Sequence, residues 1–215
     1  MNADGTGQAE RILAAATAAD SFSAIDGKLI YRTNEGTVPP VSLNTLTFSD
    51  DAWVSAPLLH IDFNTLGARV SPDGHWIAYG SNESGVIQIY VKPYPDLDSG
   101  KWQISSQAVD SREPSWGPNG DELFFLQVDG TLMHTKITVE GDSFLPGPVE
   151  PLITGLVVDF TATPNYFVSN DGERFLHFQT TVDEPDTRRF QGYTELVVVE
   201  NFFEELKRLA PPDPQ

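Results

Sequence analysis

Four histidines, His60, His75, His134 and His177, are the side chains best suited to hold a metal or move a proton near neutral pH. Their spacing suits neither task. They are scattered, no H-E-x-x-H occurs, and the chain has no cysteine to supply thiolates or disulfides. A buried or half-buried structural role is expected for each, and no metal site is assigned. There is no G-x-S-x-G elbow and no G-x-x-x-x-G-K-[ST] loop. Ser71 is accounted for by its place in a turn. The segment YPDLDSGK, residues 94–101, carries Asp96, Asp98 and Gly100 in the manner of a calcium loop. A third oxygen ligand and the closing Glu are missing, so it reads as a solvated turn. Arg188 and Arg189 form a candidate contact point, although a loop salt bridge to Asp183, Glu184 or Asp186 explains them more simply. None of this amounts to catalytic machinery, and no cofactor is expected.

Composition bounds the remaining classes. The chain has 215 residues, 40% hydrophobic and 11% aromatic, enough for a globular domain with a core. Lysine plus arginine number 13 against 31 aspartates and glutamates, a formal charge of -18. Such a surface repels phosphate backbones and anionic membranes, so neither nucleic acid nor membrane is an expected partner. Basic proteins, cationic peptides and metal ions stay open. No apolar run approaches the roughly 18 residues of a membrane span, and MNADGTGQAERIL does not read as a signal peptide. The lack of cysteine does not fix a compartment.

The elements that would position any site come from a repeated turn. SAIDGKLIY, SPDGHWIAY, GPNGDELFF and SNDGERFLH begin at residues 23, 71, 117 and 169. Their turn glycines, Gly27, Gly74, Gly120 and Gly172, lie 47, 46 and 52 residues apart. Each has Asp or Asn before the glycine, an apolar residue before the turn (Phe22, Val70, Trp116, Val168) and a hydrophobic strand after it. The strand after Gly74 is apolar on both faces, as a sheet packed between other sheets requires. The two middle copies add third strands, GVIQIYVKPYP and GTLMHTKITVE, and fourth strands, KWQISSQ and PVEPLITG. Four strands at this period predict propeller blades rather than a β-sandwich. Trp76, Trp116, Phe124 and Phe125 then read as core between blades rather than as a ligand box.

VSPDGHWIAYGSNESGVIQIYVKPYP, with GKWQIS and REPSWGPNGDELFF, resembles the TolB-like, WD-repeat-like β-propellers of bacteria. The likeness is to the type at the C-terminus of some bacterial serine/threonine protein kinases. It covers nearly the whole chain, is strongest over 69–125 and in TELVVVENFFEELKRL, and is weak over 30–67. It implies an all-β fold: a partial or half propeller of about four four-stranded blades with a short C-terminal amphipathic helix. The expected blades span 15–66, 67–109, 110–156 and 157–200. Residues 1–14 hold an orphan outer strand, at 8–13, and residues 201–215 hold the helix and tail. The resemblance makes Met1 an internal methionine of a longer parent, which would suit a periplasmic or other extracytoplasmic protein. Thr194 to Val199 is expected as a third strand.

Propeller geometry also says where a ligand would sit. The first strand of each blade lines the channel, and the rim positions here include Arg69, Arg112, Glu113, Asn165 and Tyr166. Two classes of function follow: a non-catalytic binding or scaffold propeller that docks a protein or peptide, and a propeller-based enzyme, a lyase or hydrolase accessory, with a rim site. The empty chemical inventory favours the first. Four blades fall short of the usual closed ring, and bulky Val70, Trp116 and Phe167 near the first strands oppose a four-bladed closure. The outcomes are a homodimer completing an eight-bladed ring, with residues 8–13 of one copy finishing the last blade of the other, a monomer closed on its own N-terminal strand, or an open fragment.

Asn201 and Glu204 form a capping box, Pro211 ends the segment, and Phe202, Phe203, Leu206 and Leu209 make one apolar stripe. Leaving that stripe in water costs several kcal/mol at about 25 cal/mol per Å². Deleting residues 201–215 is therefore expected to lower the melting temperature or the solubility. Unchanged melting would mean the helix packs on nothing.

Overall fold

The computed structural model describes residues 12, 16–23, 25–34, 41–59, 63–106, 109–141, 143–159, 164–179 and 195–199. The expected strand at 8–13 and the C-terminal helix lie outside the described residues, apart from Ile12, which is in no strand. Sixteen strands and no helix occur among the described residues. They form antiparallel sheets that follow one another along the chain. The first is a meander of β1 (Ala16–Ser23), β2 (Lys28–Asn34), β3 (Val41–Ser49) and β4 (Ala52–Leu59). The second runs β5 (Thr65–Val70), β6 (Trp76–Ser81), β7 (Gln88–Pro93) and β8 (Trp102–Gln103). The third runs β9 (Ser111–Trp116), β10 (Glu122–Gln127) and β11 (Leu132–Glu140). Both β12 (Ser143–Pro146) and β13 (Glu150–Ile153) pair with β11. The fourth runs β14 (Tyr166–Val168), β15 (Phe175–Gln179) and β16 (Glu195–Val199), so Thr194 to Val199 does supply a third strand.

The stretch 30–67 carries no clean motif, yet it builds the rest of a four-stranded meander within the blade expected over 15–66. Its β4 is exposed at every position from Ala52 to Pro57, so no burial pattern marked it in the sequence. The third sheet carries an unanticipated hairpin, β11–β12, before its fourth strand β13. The expectation of a buried histidine also fails at His75. That side chain is exposed, because it lies on the turn just before β6, where its N–H donates to Asp73 at 3.1 Å. His134 and His177 are buried inside strands, as expected.

The core lies between sheets. Every residue of β6 is buried. Trp76 and Ala78 pack toward the third sheet with Leu123, Phe125 and Met133, whereas Ile77 and Tyr79 pack toward the first with Ile30 and Leu43. β10 repeats this one blade on, with Phe124 and Leu126 meeting Phe175 of the fourth sheet. Trp76, Trp116, Phe124 and Phe125 are thus inter-blade core. Phe144, from the extra hairpin, sits 4.8, 5.3 and 6.4 Å by ring centroids from Trp76, Trp102 and Trp116. Burying one such ring contributes about 1.5–3 kcal/mol.

The turns stack as well. Gly27, Gly74, Gly120 and Gly172 all have positive φ, between 67° and 77°, the region glycine adopts without strain. Ser71 Oγ accepts from Trp76 N–H at 3.0 Å and Ser169 Oγ from Arg174 N–H at 3.0 Å, so the two serine turns close in the same way. A Cβ on Gly74 would stand 2.8 Å from Ile25, one on Gly120 3.6 Å from Pro72, and one on Gly172 3.1 Å from Pro118. Gly74, Gly120 and Gly172 therefore each lie under the turn residue of the preceding blade. Among the described residues Gly27 has nothing within 4 Å. Asp26 adds a bond across the first two blades, accepting from Tyr94 Oη at 2.7 Å and Lys28 Nζ at 2.9 Å. Burial alone would raise its pKa, but Ser23, Lys28 and Tyr94 together outweigh it and hold it at about 2. Its contribution to stability is present above about pH 4 and is lost as pH falls toward 2.

These contacts predict unequal costs for one chemical change. Gly27→Ala bears only the positive-φ strain, about 1 kcal/mol. Gly172→Ala adds a clash with the rigid Pro118 ring and should lose about 2 kcal/mol. Pro118→Ala in the same chain should restore part of the difference. Equal losses in urea unfolding would mean the turns do not stack.

Candidate functional site

The first strands of neighbouring sheets meet, β1 against β5 and β5 against β9, and Asn165, which leads into β14, bonds Glu113 of β9. The sequence aligns four positions, Asp20, Gly67, Glu113 and Asn165, each seven residues before its turn glycine. Strand pairing slips at three of them, between Ala19 and Ser21, between Leu66 and Arg69, and beside Phe124. Gly67 and Glu113 have φ of 60° and 53°. Glycine adopts this region freely, whereas glutamate there is strained by about 1 kcal/mol or more. A Cβ on Gly67 would lie 3.6 Å from Glu113 Cα, so the bulges of neighbouring blades touch.

Glu113 holds the fourth blade to the third. Its Oε2 accepts from Asn165 N–H at 2.9 Å and its Oε1 from Asn165 Nδ2 at 2.8 Å. Tyr166 Oη donates to the Glu113 carbonyl at 2.7 Å. Asn165 and Tyr166 are both buried. Burial first, and the Glu113 charge second, push the Tyr166 hydroxyl far above its ordinary pKa, so it stays a donor. Arg69 opposes that push and is itself spread between blades. It donates to the carbonyls of Asp20 and, at 3.0 Å, Ala68, while its own carbonyl accepts from Trp116 Nε1 at 2.9 Å.

Four of the five expected rim residues thus make bonds between blades. Arg112 stands in a different arrangement, an ion pair with Asp110 at 2.9 Å; Asp110 also accepts from Ile87 N–H at 3.0 Å. The sequence reading missed Asp20 and Arg32, which pair at 3.0 Å with Asp20 almost wholly buried. Burial outweighs Arg32 and Arg69 and raises the Asp20 pKa. The signal for Asp20 was its position seven residues before a turn glycine, shared with Glu113 and Asn165.

The acid and base groups elsewhere are also tied locally. His134 Nε2 bonds Glu122 Oε1 at 3.1 Å, which lowers the Glu122 pKa, and the imidazole stacks on Phe124 at 5.1 Å. In the loop after β7, Asp96 accepts from Asp98 N–H at 3.3 Å and Ser99 Oγ at 3.0 Å, a local turn. Among the described residues no three His, Asp or Glu side chains are grouped to hold a metal ion. Arg188 and Arg189 lie outside the described residues.

Glu113 supplies a test with opposing terms. Glu113→Ala strands the buried Asn165 donors and should cost about 2–3 kcal/mol. Glu113→Gly loses the same bonds but relieves the positive φ, as Gly67 does one blade earlier, so it should cost about 1 kcal/mol less. Alanine and glycine unfolding at the same urea concentration would contradict the strained-staple reading.

Neither a protein-family model nor a curated protein matches the chain. Solved structures do. TolB from Acinetobacter baumannii superposes with a TM-score of 0.55 at 15% identity, over 88% of this chain and 42% of that one. The Cps50 (Swd1) β-propeller domain of Myceliophteria thermophila gives 0.51 at 13% identity, over 81% and 53%. A 6-phosphogluconolactonase described from Bacteroides uniformis gives 0.50 at 14%, over 84% and 54%. The chain spans about half the length of these proteins. At such identities the likeness is one of fold, and with the stacked meanders it identifies the chain as β-propeller blades of the construction found in TolB.

Proposed function

We propose that this chain is a docking propeller, a protein-interaction module rather than a catalyst, whose first blade receives the last blade of a second copy. The observation that carries the reading is the outward face of the first blade. Phe22, Phe48 and Trp53 are 65%, 56% and 47% exposed there, with Phe48 and Trp53 rings 5.1 Å apart. Cross-strand pairing puts Phe22 beside Leu29 and Phe48 beside Trp53. A clustered aromatic surface of this kind marks an interaction site. Gly27 adds specificity, because among the described residues nothing lies within 4 Å of a Cβ placed there, unlike the other three turn glycines. In the last blade, exposed Asn170 occupies the covering position and Phe167 is 52% exposed. Two copies joined through these faces about a two-fold axis would give eight blades and bury both faces.

The enzyme alternative has in its favour the likeness to the lactonase, which is one of fold. A ligand at Arg69, Arg112, Glu113, Asn165 and Tyr166 would have to displace bonds those groups already make. The -18 charge of each copy opposes pairing, so the dimer should strengthen with salt. Light scattering at about 0.5 M salt is expected to give twice the 23.6 kDa chain mass. Phe22→Glu with Trp53→Glu should return it to one chain mass with the β circular dichroism retained. A single chain mass for the unaltered protein, or a dimer indifferent to both substitutions, would overturn the reading. Deleting residues 1–13 separates strand exchange from face packing, since only the exchange needs them.

A further inference from the structure

The hairpin that the sequence did not announce builds a second surface. The β11–β12 turn reaches beside the second blade and encloses with it a groove of about 620 Å³, within the range of specific ligand sites. One wall is Val139 and Gly141, from the hairpin. The floor and opposite wall are Trp76, Trp102, Tyr94 and Pro93. Trp76 and Trp102 meet edge to face at 5.5 Å, and Phe144 beneath locks both, so the floor is rigid before any ligand arrives. Polar groups enter at the rim: Asp73, His75 and Ser99.

Charge selects the occupant. Asp73 is exposed; one carboxylate oxygen, Oδ1, takes part in the turn, accepting from His75 N–H. The loop that supplies Ser99 also carries exposed Asp96 and Asp98, and the hairpin carries exposed Glu140. Lys101, on the same loop, is tied to Glu83 at 2.8 Å. Preformed aromatic clefts accept the ridges of a polyproline-type chain, and a cation beside such rings gains from both the ring face and an adjacent carboxylate. We infer that this groove binds an extended cationic peptide in which arginine neighbours proline. The inference extends the docking reading to a separate surface and stands whether or not copies pair.

The test uses the whole chain and a synthetic peptide, acetyl-Gly-Arg-Pro-Pro-Arg-Pro-Gly-amide, titrated at low salt while the tryptophan indole N–H signals are followed by NMR. Trp76 and Trp102 should shift and Trp53 should not. Asp73→Asn keeps an acceptor for the turn but removes the charge, and should weaken binding about tenfold. Val139→Arg, on an exposed wall position, should do the same by repulsion without disturbing the core. The peptide with glutamate in place of arginine should not bind. Absence of binding, shifts centred on Trp53, equal binding of the glutamate peptide, preference for a neutral oligosaccharide such as cellotetraose, or indifference to both substitutions would each overturn the inference. The chain mass in light scattering reports on blade pairing separately and should not change with the peptide.

Discussion

The second, third and fourth sheets of this protein are each completed by the one before. The first two strands of a blade are joined by a turn whose glycine must take positive φ, and over that glycine sits the turn residue of the preceding blade: Ile25 on Gly74, Pro72 on Gly120, Pro118 on Gly172. The sheets above the turns obey the same rule, with alternate residues of β6 and β10 serving the blades on either side. A fold built this way is nearly one-dimensional, and its stability is a sum of blades and of the contacts between neighbours. Among the described residues Gly27 has no such cover, and Phe22, Phe48 and Trp53 of the first sheet are exposed.

Polar chemistry inside the array follows from the same constraint. Inner strands converge, so their bulges meet, and the groups that occupy them must satisfy one another. Glu113 accepts a strained backbone and in return binds both donors of Asn165, while Arg69 spans the carbonyls of Asp20 and Ala68. Four of the five expected rim residues, Arg69, Glu113, Asn165 and Tyr166, make bonds between blades. The exposed surface chemistry lies elsewhere, on the first blade and in the groove beneath the extra hairpin.

Much of this was legible in the sequence, because turn chemistry and two-sided hydrophobic strands leave strong local patterns. SPDG at 71–74 and GPNG at 117–120 fixed both the turns and the blade period, and Trp76 and Phe125 announced a core on both faces of a sheet. The β4 strand was not legible, since an outer strand open to water from Ala52 to Pro57 carries no burial pattern. The β11–β12 hairpin was hidden for a different reason. Its strand Ser143–Pro146 holds one buried residue, Phe144, and what that residue meets comes from elsewhere: Trp76 and Trp102 are supplied by the preceding blade. Pairings at the bulges, such as Asp20 with Arg32 inside the first sheet or Glu113 with Asn165 between the third and fourth, depend on the bulge geometry, and no local sequence rule forecasts where a bulge aims a carboxylate.

The proposed pairing sets the exposed aromatics of the first sheet, Phe22, Phe48 and Trp53, against the fourth sheet of another copy. The lack of native cysteine makes this directly measurable by cross-linking. Chains carrying Asn170→Cys are mixed with chains carrying Lys28→Cys, next to Gly27, and treated with a short bis-maleimide. A cross-linked dimer is expected to form well ahead of a control pairing of Asn170→Cys with Lys136→Cys, an exposed position on the third blade. Equal yields from the two pairings would contradict it.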